Sequence, residues 1–450
     1  MLTQMFLFAR KAPLDAPRPA SVRLQRTESR KRISAPLTAS LQRNTLKTLA
    51  RATTVWVMPA KGAALTGTNS NTRRGPRVAI IGAGVIGLGI AWRLAGRAAV
   101  TVFERGKAGA GASHAAAGML AACCEAEPGE EALVALGRES QARWPGFAAE
   151  LLDATGIDVE LRREGTLVLA LTADDQAEIA HRLEFQRQLD LPLEWLSAAQ
   201  ARAREPHLAG KIAGAVFSPQ DHQVDNRKLV QALRVAAEAA GVTIHEQRPV
   251  KEILVQGGRA KGVALEDGTV AAADIVVLAA GAWSRGIAGL PPDRRPPVRP
   301  VKGQMLALQM DPGAPLLTHV LWAPGVYLVP RRDGRLIVGA TVEEQGFDDK
   351  ITAGGMLTLL EAAWRALPAV EELAVEEIWV GHRPGSRDDA PILGPGPAEG
   401  LIYATGHHRN GILLAPVTAD AIARLVLDDV VEPVIKPFGL ERFQPARAAE

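Results

Sequence analysis

The first regular pattern of apolar positions begins at residue 77 and has the order strand, helix, strand. Residues 77–81 form a largely apolar run that is followed by Gly82, and residues 86–95 place apolar side chains at helical spacing. Residues 100–103 form a second apolar run, closed by Glu104. A short continuous apolar run is typical of a strand buried on both faces. The pattern therefore predicts a βαβ unit in a parallel sheet.

Helical and strand patterns alternate along the rest of the chain. The prolines between residues 291 and 300 predict a linker, and Arg332–Arg335 predicts a hairpin turn. Helices are predicted at 137–155, 174–190, 227–240 and 412–427. Strands are predicted at 166–171, 213–217, 242–245, 250–255, 260–265, 275–279, 303–309, 326–330, 336–341, 376–383 and 401–404.

Composition places the chain among ordinary globular proteins. Hydrophobic residues make up 47% of its 450 residues and charged residues 22%. Because no apolar stretch of 18 or more residues is free of charge, we expect no membrane span. The adjacent cysteines Cys123 and Cys124 cannot build a disulfide framework or a four-ligand zinc site, so we expect a reducing, cytoplasmic environment.

The positive charge is concentrated in the first 75 residues. They carry 14 Lys and Arg against two acids, which gives a net charge of +12. The remainder has a net charge of −9, so the total is +3. Their composition also fits a transit peptide, but we favour a disordered extension. The acidic remainder argues against nucleic acid as the main partner, although a partner that binds residues 1–75 is an alternative.

A glycine-rich motif joins the first predicted strand to the first predicted helix. In Gly82-Ala83-Gly84-Val85-Ile86-Gly87, Gly82 permits a tight turn, Gly84 lets a pyrophosphate approach the backbone, and Gly87 lets helix and strand pack closely. Glu104 ends the next strand, where a carboxylate accepts hydrogen bonds from a ribose. The motif predicts a dinucleotide site without identifying the dinucleotide.

A run of small residues from Gly109 to Met119 follows. Small side chains let the backbone approach a large planar ligand closely, although a flexible linker is an alternative. His114 lies in this run and could cap or line the loop. A covalent flavin link through His114 is the less favoured interpretation.

Two later segments carry candidate chemistry. Arg383 ends a predicted strand within Trp379–Gly385 and can bind a carboxylate through two parallel hydrogen bonds, to which Tyr327 could add a hydroxyl donor. Gly406–Leu414 lies between a strand and a helix, where N–H groups and a helix dipole would stabilise negative charge on a reduced flavin. Adjacent histidines in that segment rarely ligate one ion together, so we predict no metal.

These blocks, in this order, resemble the FAD-dependent amino acid oxidase family, and most nearly its glycine-oxidising branch. The resemblance covers Arg77 to about Val431. Its most specific segments are Ala115–Leu120, Val301–Gln304, Val329–Arg331, Val338–Thr341, Gly381–Gly385 and Gly406–Pro416.

The resemblance implies an α/β (α+β) fold with two domains. One is a Rossmann-like FAD-binding domain of the glutathione-reductase type, assigned to residues 76–160, 211–300 and 380–435. The other is a substrate domain with a mixed, largely antiparallel sheet, assigned to residues 161–210 and 301–379. Residues 1–75 would be an extension, and 436–450 a C-terminal tail.

The resemblance also implies the site residues. Arg383 would anchor a substrate carboxylate with help from Tyr327, and Arg409 would lie near the entrance. The cofactor would be bound by the motif glycines Gly82, Gly84 and Gly87; by Val85 and Ile86 at the pyrophosphate; by Glu104, Arg105 and Val250 at the adenosine; by Ala112, Ser113, Ala117, Gly118 and Met119 along its middle; and by His407, His408, Arg409, Asn410, Gly411, Ile412 and Leu413 around the flavin ring.

The implied cofactor is non-covalent FAD. Some relatives attach FAD through a cysteine in the C-terminal half, which this sequence lacks. Others attach it through a histidine three residues before the loop glycine, where this sequence has Ala115, with His114 one step away.

The implied activity is the oxidative deamination of a small amino acid, glycine before sarcosine or small D-amino acids. Dioxygen would be the acceptor, and the products would be an imine or 2-oxo acid, ammonia and hydrogen peroxide, in the service of thiamine biosynthesis. One alternative is a D-amino acid or sarcosine dehydrogenase that reduces a quinone or carrier. Another is a dinucleotide-binding protein without catalysis. A homo-oligomer is one option for the assembly.

Overall fold

The computed structural model describes residues 75–443. The predictions of a transit peptide or a disordered extension concern residues outside this range, as does the end of the predicted C-terminal tail. Within the range, 3-10 helices lie at Gly281–Gly286, Pro292–Arg294, Pro368–Glu372, His408–Asn410, Pro433–Phe438 and Leu440–Phe443.

Strands and helices alternate through most of the described range. In chain order they are β1 (Arg77–Ile81), α1 (Val85–Leu94), β2 (Ala99–Phe103), α2 (Ala112–Ala115), β3 (Met119–Leu120), α3 (Glu131–Thr155), β4 (Thr166–Ala170), α4 (Ala173–Gln188), β5 (Glu194–Ser197), α5 (Ala198–Arg204), β6 (Gly214–Ser218), β7 (His222–Gln223), α6 (Asn226–Ala239), β8 (Thr243–His245), β9 (Val250–Gln256), β10 (Arg259–Leu265), β11 (Val270–Ala272), β12 (Ile275–Leu278), β13 (Arg299–Gln309), β14 (Val320–Ala323), β15 (Val326–Pro330), β16 (Arg335–Gly339), α7 (Ala353–Ala366), β17 (Ala374–Gly385), β18 (Ile392–Pro395), β19 (Leu401–Thr405) and α8 (Ala415–Asp428).

A six-stranded sheet in the order β18-β19-β12-β1-β2-β8 contains the predicted βαβ unit. All its neighbours are parallel except β18, which is antiparallel to β19. Successive residues of β1 point in turn into two different hydrophobic cores. Val78 and Ile80 pack with residues of α1 and α8, and Ala79 and Ile81 pack with the three-stranded sheet β11-β10-β9. Burial on both faces explains why β1 is apolar at consecutive positions.

The second large sheet has eight strands in the order β17-β13-β16-β15-β14-β4-β6-β5. Only β14 and β4 run parallel, so the prediction of a mixed, largely antiparallel sheet is confirmed. Leu306 and Leu308 of β13 pack on the face covered by α7. Met305 and Ala307 lie on the opposite face with Ala117 of the small-residue run. This second face borders the candidate site.

Two strands lie in a different sheet from the one that the predicted domain boundaries imply. β6 pairs with β4 and β5, although residues 211–300 were assigned to the cofactor domain. β17 pairs with β13 along its whole length, from Arg299↔Gly385 to Gln309↔Ala374, so residues 380–385 also belong to the eight-stranded sheet. The domain boundaries as a whole stay a prediction.

Some helices and strands begin at residues other than the predicted ones. α8 begins at Ala415 rather than at residue 412, because residues 408–414 form a 3-10 helix and turns before a proline in the first turn of α8. β13 begins at Arg299, inside the predicted linker. Phe438 and Leu440, in the predicted tail, are buried in the core. Helices α2, α5 and α7 have no counterpart in the prediction.

A search of residues 75–443 for helices that could span a bilayer finds none with the required length and apolar character.

Gly87 gives a direct test of the strand–helix packing. A Cβ at Gly87 would lie 1.9 Å from the carbonyl oxygen of Gly82, so Gly87→Ala must force α1 away from the turn. We expect this change to lower the free energy of unfolding by about 1–3 kcal/mol, measured by urea denaturation. Gly146→Ala in α3 is the matched control, because its Cβ would meet no atom within 4 Å. The control should gain up to about 1 kcal/mol from helix propensity, and equal effects of the two changes would contradict the packing argument.

Candidate functional site

A cavity of about 1210 Å³ lies between the six-stranded and the eight-stranded sheet. It exceeds the roughly 300–1,000 Å³ of a typical small-molecule site, so it has room for a dinucleotide. One wall is formed where parallel strands end, at Ile81, Phe103, Ala279 and Ala404. Ligands of open α/β sheets bind at this edge. The other wall is the face of the eight-stranded sheet that carries Met305.

The glycine motif forms a tight turn at one end of the cavity. Gly82 has a φ of +106°, and a Cβ there would lie 2.5 Å from the carbonyl oxygen of Ala279. Gly84 precedes α1 and has no side chain to cap it, while the N–H of Val85 donates to Ser113 Oγ at 3.0 Å. The turn therefore presents backbone and the positive end of α1 to the cavity, which is how such turns bind phosphate.

Glu104 is fixed next to this turn. Its Oε2 accepts the N–H of Ala83 at 2.9 Å, and its Oε1 accepts the N–H of Gly106 at 2.8 Å. Two backbone donors hold the carboxylate at the cavity wall, where its remaining lone pairs can accept ribose hydroxyls.

Trp283 is a cavity residue that the sequence analysis missed. The Arg105 guanidinium lies 4.5 Å from the centre of its ring, and Phe347 stacks on it at 5.0 Å. Trp283 follows β12, one of the parallel strands that end at the cavity. The position of Trp283 after a parallel strand could have indicated that it lines a ligand site, because ligands bind at the ends of such strands.

The side chains of the small-residue run have to be small because the backbone of other segments lies against it. A Cβ at Gly118, where φ is +71°, would lie 2.0 Å from the carbonyl oxygen of Val224. A Cβ at Gly381 of β17 would lie 2.4 Å from Ala115 Cβ. Trp379 Nε1, also in β17, donates to the Ala115 carbonyl oxygen at 3.1 Å. The run is therefore a packed wall of the cavity rather than a linker.

Arg383 lies on the cavity side of the eight-stranded sheet. Its Nη1 donates to the Thr341 carbonyl oxygen at 3.1 Å. A Cβ at Gly303, on the neighbouring strand β13, would lie 2.6 Å from the same Nη1. Gly303 thus provides the space that the guanidinium occupies.

Tyr327 lies close to Arg383 and depends on a second glycine. A Cβ at Gly339 of β16 would lie 2.6 Å from the Tyr327 ring, and the hydroxyl lies 3.8 Å from Met305 Sδ. Burial raises the pKa of the Tyr327 phenol, and the nearby Arg383 guanidinium opposes this shift. The phenol therefore stays protonated and can donate a hydrogen bond.

The segment between β19 and α8 carries two neutral histidines. Burial lowers the pKa of His407 to about 3, and its Nε2 lies 3.2 Å from Thr418 Oγ1. Burial and nearby arginines lower the pKa of His408 to about 3. Among residues 75–443, no group of three or more His, Cys, Asp or Glu side chains could hold a metal ion.

Arg409 is paired with two carboxylates that the sequence analysis missed. It donates to Glu125 Oε2, and its Nη2 lies 3.3 Å from Glu130 Oε2. Burial raises the pKa of Glu125, and the Arg409 charge opposes this shift. Glu125 and Arg409 are 284 positions apart, so no local pattern indicated the pair.

The two cysteines are held against Asp221. The N–H groups of Cys123 and Cys124 donate to its two carboxylate oxygens at 2.9 and 2.7 Å. Burial raises the pKa of both thiols, so neither offers a thiolate to a ligand. Burial also lowers the pKa of His114.

The structure brings most of the predicted site residues to this one cavity. Gly87 and Leu413 lie behind its wall: Gly87 packs on the Gly82 turn, and the Leu413 carbonyl oxygen accepts Ser140 Oγ and Trp144 Nε1. The predicted residues that line the cavity are Gly82, Gly84, Val85, Ile86, Glu104, Arg105, Ala112, Ser113, Ala117, Gly118, Met119, Val250, Tyr327, Arg383, His407, His408, Arg409, Asn410, Gly411 and Ile412.

The chain matches one family model and several characterised proteins. The model of the DAO family, described as FAD dependent oxidoreductase, matches residues 77–425. The glycine oxidase of Geobacillus kaustophilus is 38% identical over 369 residues, which is 81% of this chain and 96% of that protein. Its crystal structure has a TM-score of 0.77 and covers 82% of this chain and 99% of that one.

A longer relative matches only in part. The bifunctional protein ThiO/ThiG of Synechocystis sp. is 42% identical over 373 residues, which is 81% of this chain and 54% of that protein. The chain thus spans about half the length of such bifunctional relatives.

The buried neutral state of His407 predicts acid sensitivity. Its folded pKa of about 3 lies below the ordinary value of 6.5, so the unfolded chain binds the extra proton first and stability falls as the pH drops below 6.5. When the pH falls from 7 to 5, protonation of His407 in the unfolded chain should lower the free energy of unfolding by about 2 kcal/mol. Urea denaturation at both pH values should show a shallower loss for His407→Gln. His181→Gln, at an exposed position of α4, should match the wild type, and an unchanged slope for His407→Gln would contradict the assignment.

Proposed function

The chain belongs to the DAO family of FAD-dependent oxidoreductases, and on this basis we propose that it oxidises a small amino acid, glycine before others. The amino acid loses two electrons and two protons and becomes an imine, which is released or hydrolysed to a 2-oxo acid and ammonia. Dioxygen accepts the two electrons and two protons and becomes hydrogen peroxide. The sequence resemblance further implies that the product serves thiamine biosynthesis.

The cavity fits FAD. Gly82 and Gly118 line the cavity without a side chain, so a dinucleotide can approach their backbone closely. Glu104 supplies an acceptor for a ribose, and the α1 N-terminus supplies donors for phosphate. Bound FAD supplies the two-electron acceptor that the side chains of this chain lack.

The observation that carries the proposal is the arrangement of Arg383 and Tyr327. The guanidinium lies over Gly303 with one donor on the Thr341 carbonyl, which leaves other donors for a carboxylate. The protonated Tyr327 phenol adds a donor on the neighbouring side. Together they would fix the acid end of an amino acid and so orient its α-carbon in the cavity.

The side chains that line the cavity near Arg383 favour a small substrate. Trp322 and Tyr327 lie on adjacent strands with ring centres 5.4 Å apart, and both line the cavity. Met305 and Met119 fill the neighbouring positions. These bulky side chains restrict the space next to the carboxylate anchor.

The proposal is tested by mixing the holoenzyme anaerobically with glycine, sarcosine or D-alanine and recording the visible spectrum. Glycine should remove the yellow colour, and air should restore it with formation of hydrogen peroxide. If only a quinone or dye restores the colour, the protein is a dehydrogenase. If none of the amino acids changes the spectrum, the proposed function is wrong.

The anchor role of Arg383 predicts graded effects of two substitutions. Arg383→Ala should lower kcat/KM for glycine roughly 30-fold to several thousand-fold, because the carboxylate loses its charged partner. This factor corresponds to a free-energy change of about 2–5 kcal/mol. Gly303→Ala should displace the guanidinium and cause a smaller loss, while FAD still binds.

Gly354→Ala is the matched control for Gly303→Ala, because its Cβ would meet no atom within 4 Å. Steady-state kinetics over a range of glycine concentrations would measure all three variants. An unchanged KM in Arg383→Ala would rule out the anchor role.

A further inference from the structure

Arg331 crosses from the eight-stranded sheet to the small-residue run. It follows β15 in the hairpin to β16, and only 5% of its surface is exposed. Nη1 donates to the carbonyl oxygen of Val224 at 2.8 Å and to Gln223 Oε1 at 3.1 Å. Nη2 donates to the carbonyl oxygen of Ala117 at 2.8 Å and to Asn226 Oδ1 at 3.0 Å.

Asn226 extends this network to the other end of the run. Its Nδ2 donates to the carbonyl oxygens of Ser113 and His114 at 2.8 and 3.0 Å. Arg331 and Asn226 therefore hold three carbonyl groups within residues 113–117. Gly118 leaves room for the guanidinium, since a Cβ there would lie 3.0 Å from Arg331 Nη2.

Fixing a carbonyl also fixes the N–H on the other side of the same peptide bond. A trans peptide is planar, and its C=O and N–H point in opposite directions. Because the Ala117 carbonyl points to Arg331, the Gly118 N–H points away from Arg331. Ala117 and Gly118 both line the cavity, so fixing this peptide also fixes a backbone donor at the cavity wall, where FAD would bind.

The cost of burying Arg331 indicates more than a packing role. Desolvation lowers the pKa of its guanidinium to about 10, although the Asp225 carboxylate opposes the shift. The hydrogen-bond partners of Arg331 are neutral carbonyl and amide oxygens. A well-packed apolar side chain at such a position usually stabilises a protein at least as well as a buried charge.

We propose that Arg331 is a positioning residue for FAD: through Ala117 and Asn226 it sets the backbone of residues 113–118, and it places a positive charge behind this wall of the cavity. The inference rests on the proposed function for the identity of the cofactor and not for that of the amino acid. A failure to oxidise glycine would therefore leave it standing.

FAD binding and the redox potential of the bound FAD test the proposal without turnover. FAD is removed from the holoenzyme and titrated back while the quenching of its fluorescence is followed. Arg331→Met should raise the Kd for FAD about 10- to 100-fold, because it frees four acceptors and removes the charge. Its midpoint potential should become more negative, because a nearby positive charge favours the reduced cofactor. Arg331→Lys should restore most of the potential but not the Kd, since an ammonium cannot replace the planar set of donors.

Arg332→Met is the matched control, because Arg332 is the next residue and is half-exposed with its guanidinium on Asp158. It should keep the wild-type Kd and potential. A folded Arg331→Met variant that also keeps both would overturn the proposal.

Asn226→Leu decides the case if Arg331→Met does not fold. It removes one acceptor of Arg331 and both hydrogen bonds from Asn226 to Ser113 and His114. A raised Kd for FAD supports the proposal, and a wild-type Kd overturns it.

Discussion

The register of the eight-stranded sheet is the constraint on which the site depends. Gly339 of β16 pairs with Met305 of β13 on one side and with Tyr327 of β15 on the other. Directly paired residues point to the same face, so this row faces the cavity while Leu306 and Leu328 enter the core under α7. A slip of one residue in β15 would bury Tyr327 under α7 and turn Leu328 towards the ligand. The apolar core on the far side thereby determines which side chains face the cavity.

Three arginines around the cavity differ in what satisfies them, and this difference separates their roles. Arg409 is neutralised by Glu125 and Glu130, so it contributes little net charge. Arg331 donates to two backbone carbonyl oxygens and two side-chain amide oxygens, so its donors are used within the protein. Within residues 75–443, Arg383 donates to a single carbonyl oxygen, that of Thr341. Of the three, Arg383 has both the charge and the free donors that a carboxylate requires.

Local sequence determined more of the cavity wall at the glycine motif than of the wall that carries Tyr327 and Arg383. The Gly82 turn and Glu104 follow from a motif of about 20 residues, because strand, turn and helix are adjacent in sequence. The strands that carry Tyr327 and Arg383 could be predicted from alternation, but β6 and β17 fell in a sheet that alternation cannot specify. Long-range pairs had no local signal at all: Arg331 and Ala117 are 214 positions apart. The role proposed for Arg383 as a substrate anchor comes from the family resemblance, because its local sequence indicates only that it can bind a carboxylate.

The strands that carry Tyr327 and Arg383 also lead to contacts with the small-residue run. In β17, Trp379 donates to the Ala115 carbonyl and Arg383 faces the chamber four residues later. Tyr327 faces the chamber from β15, and four residues later Arg331 donates to the Ala117 carbonyl. Four residues of strand span about 13 Å, and a strand paired on its neighbours is stiff along its length. β17 and the β15 hairpin therefore each link the small-residue run to one of the two residues proposed to anchor a substrate carboxylate.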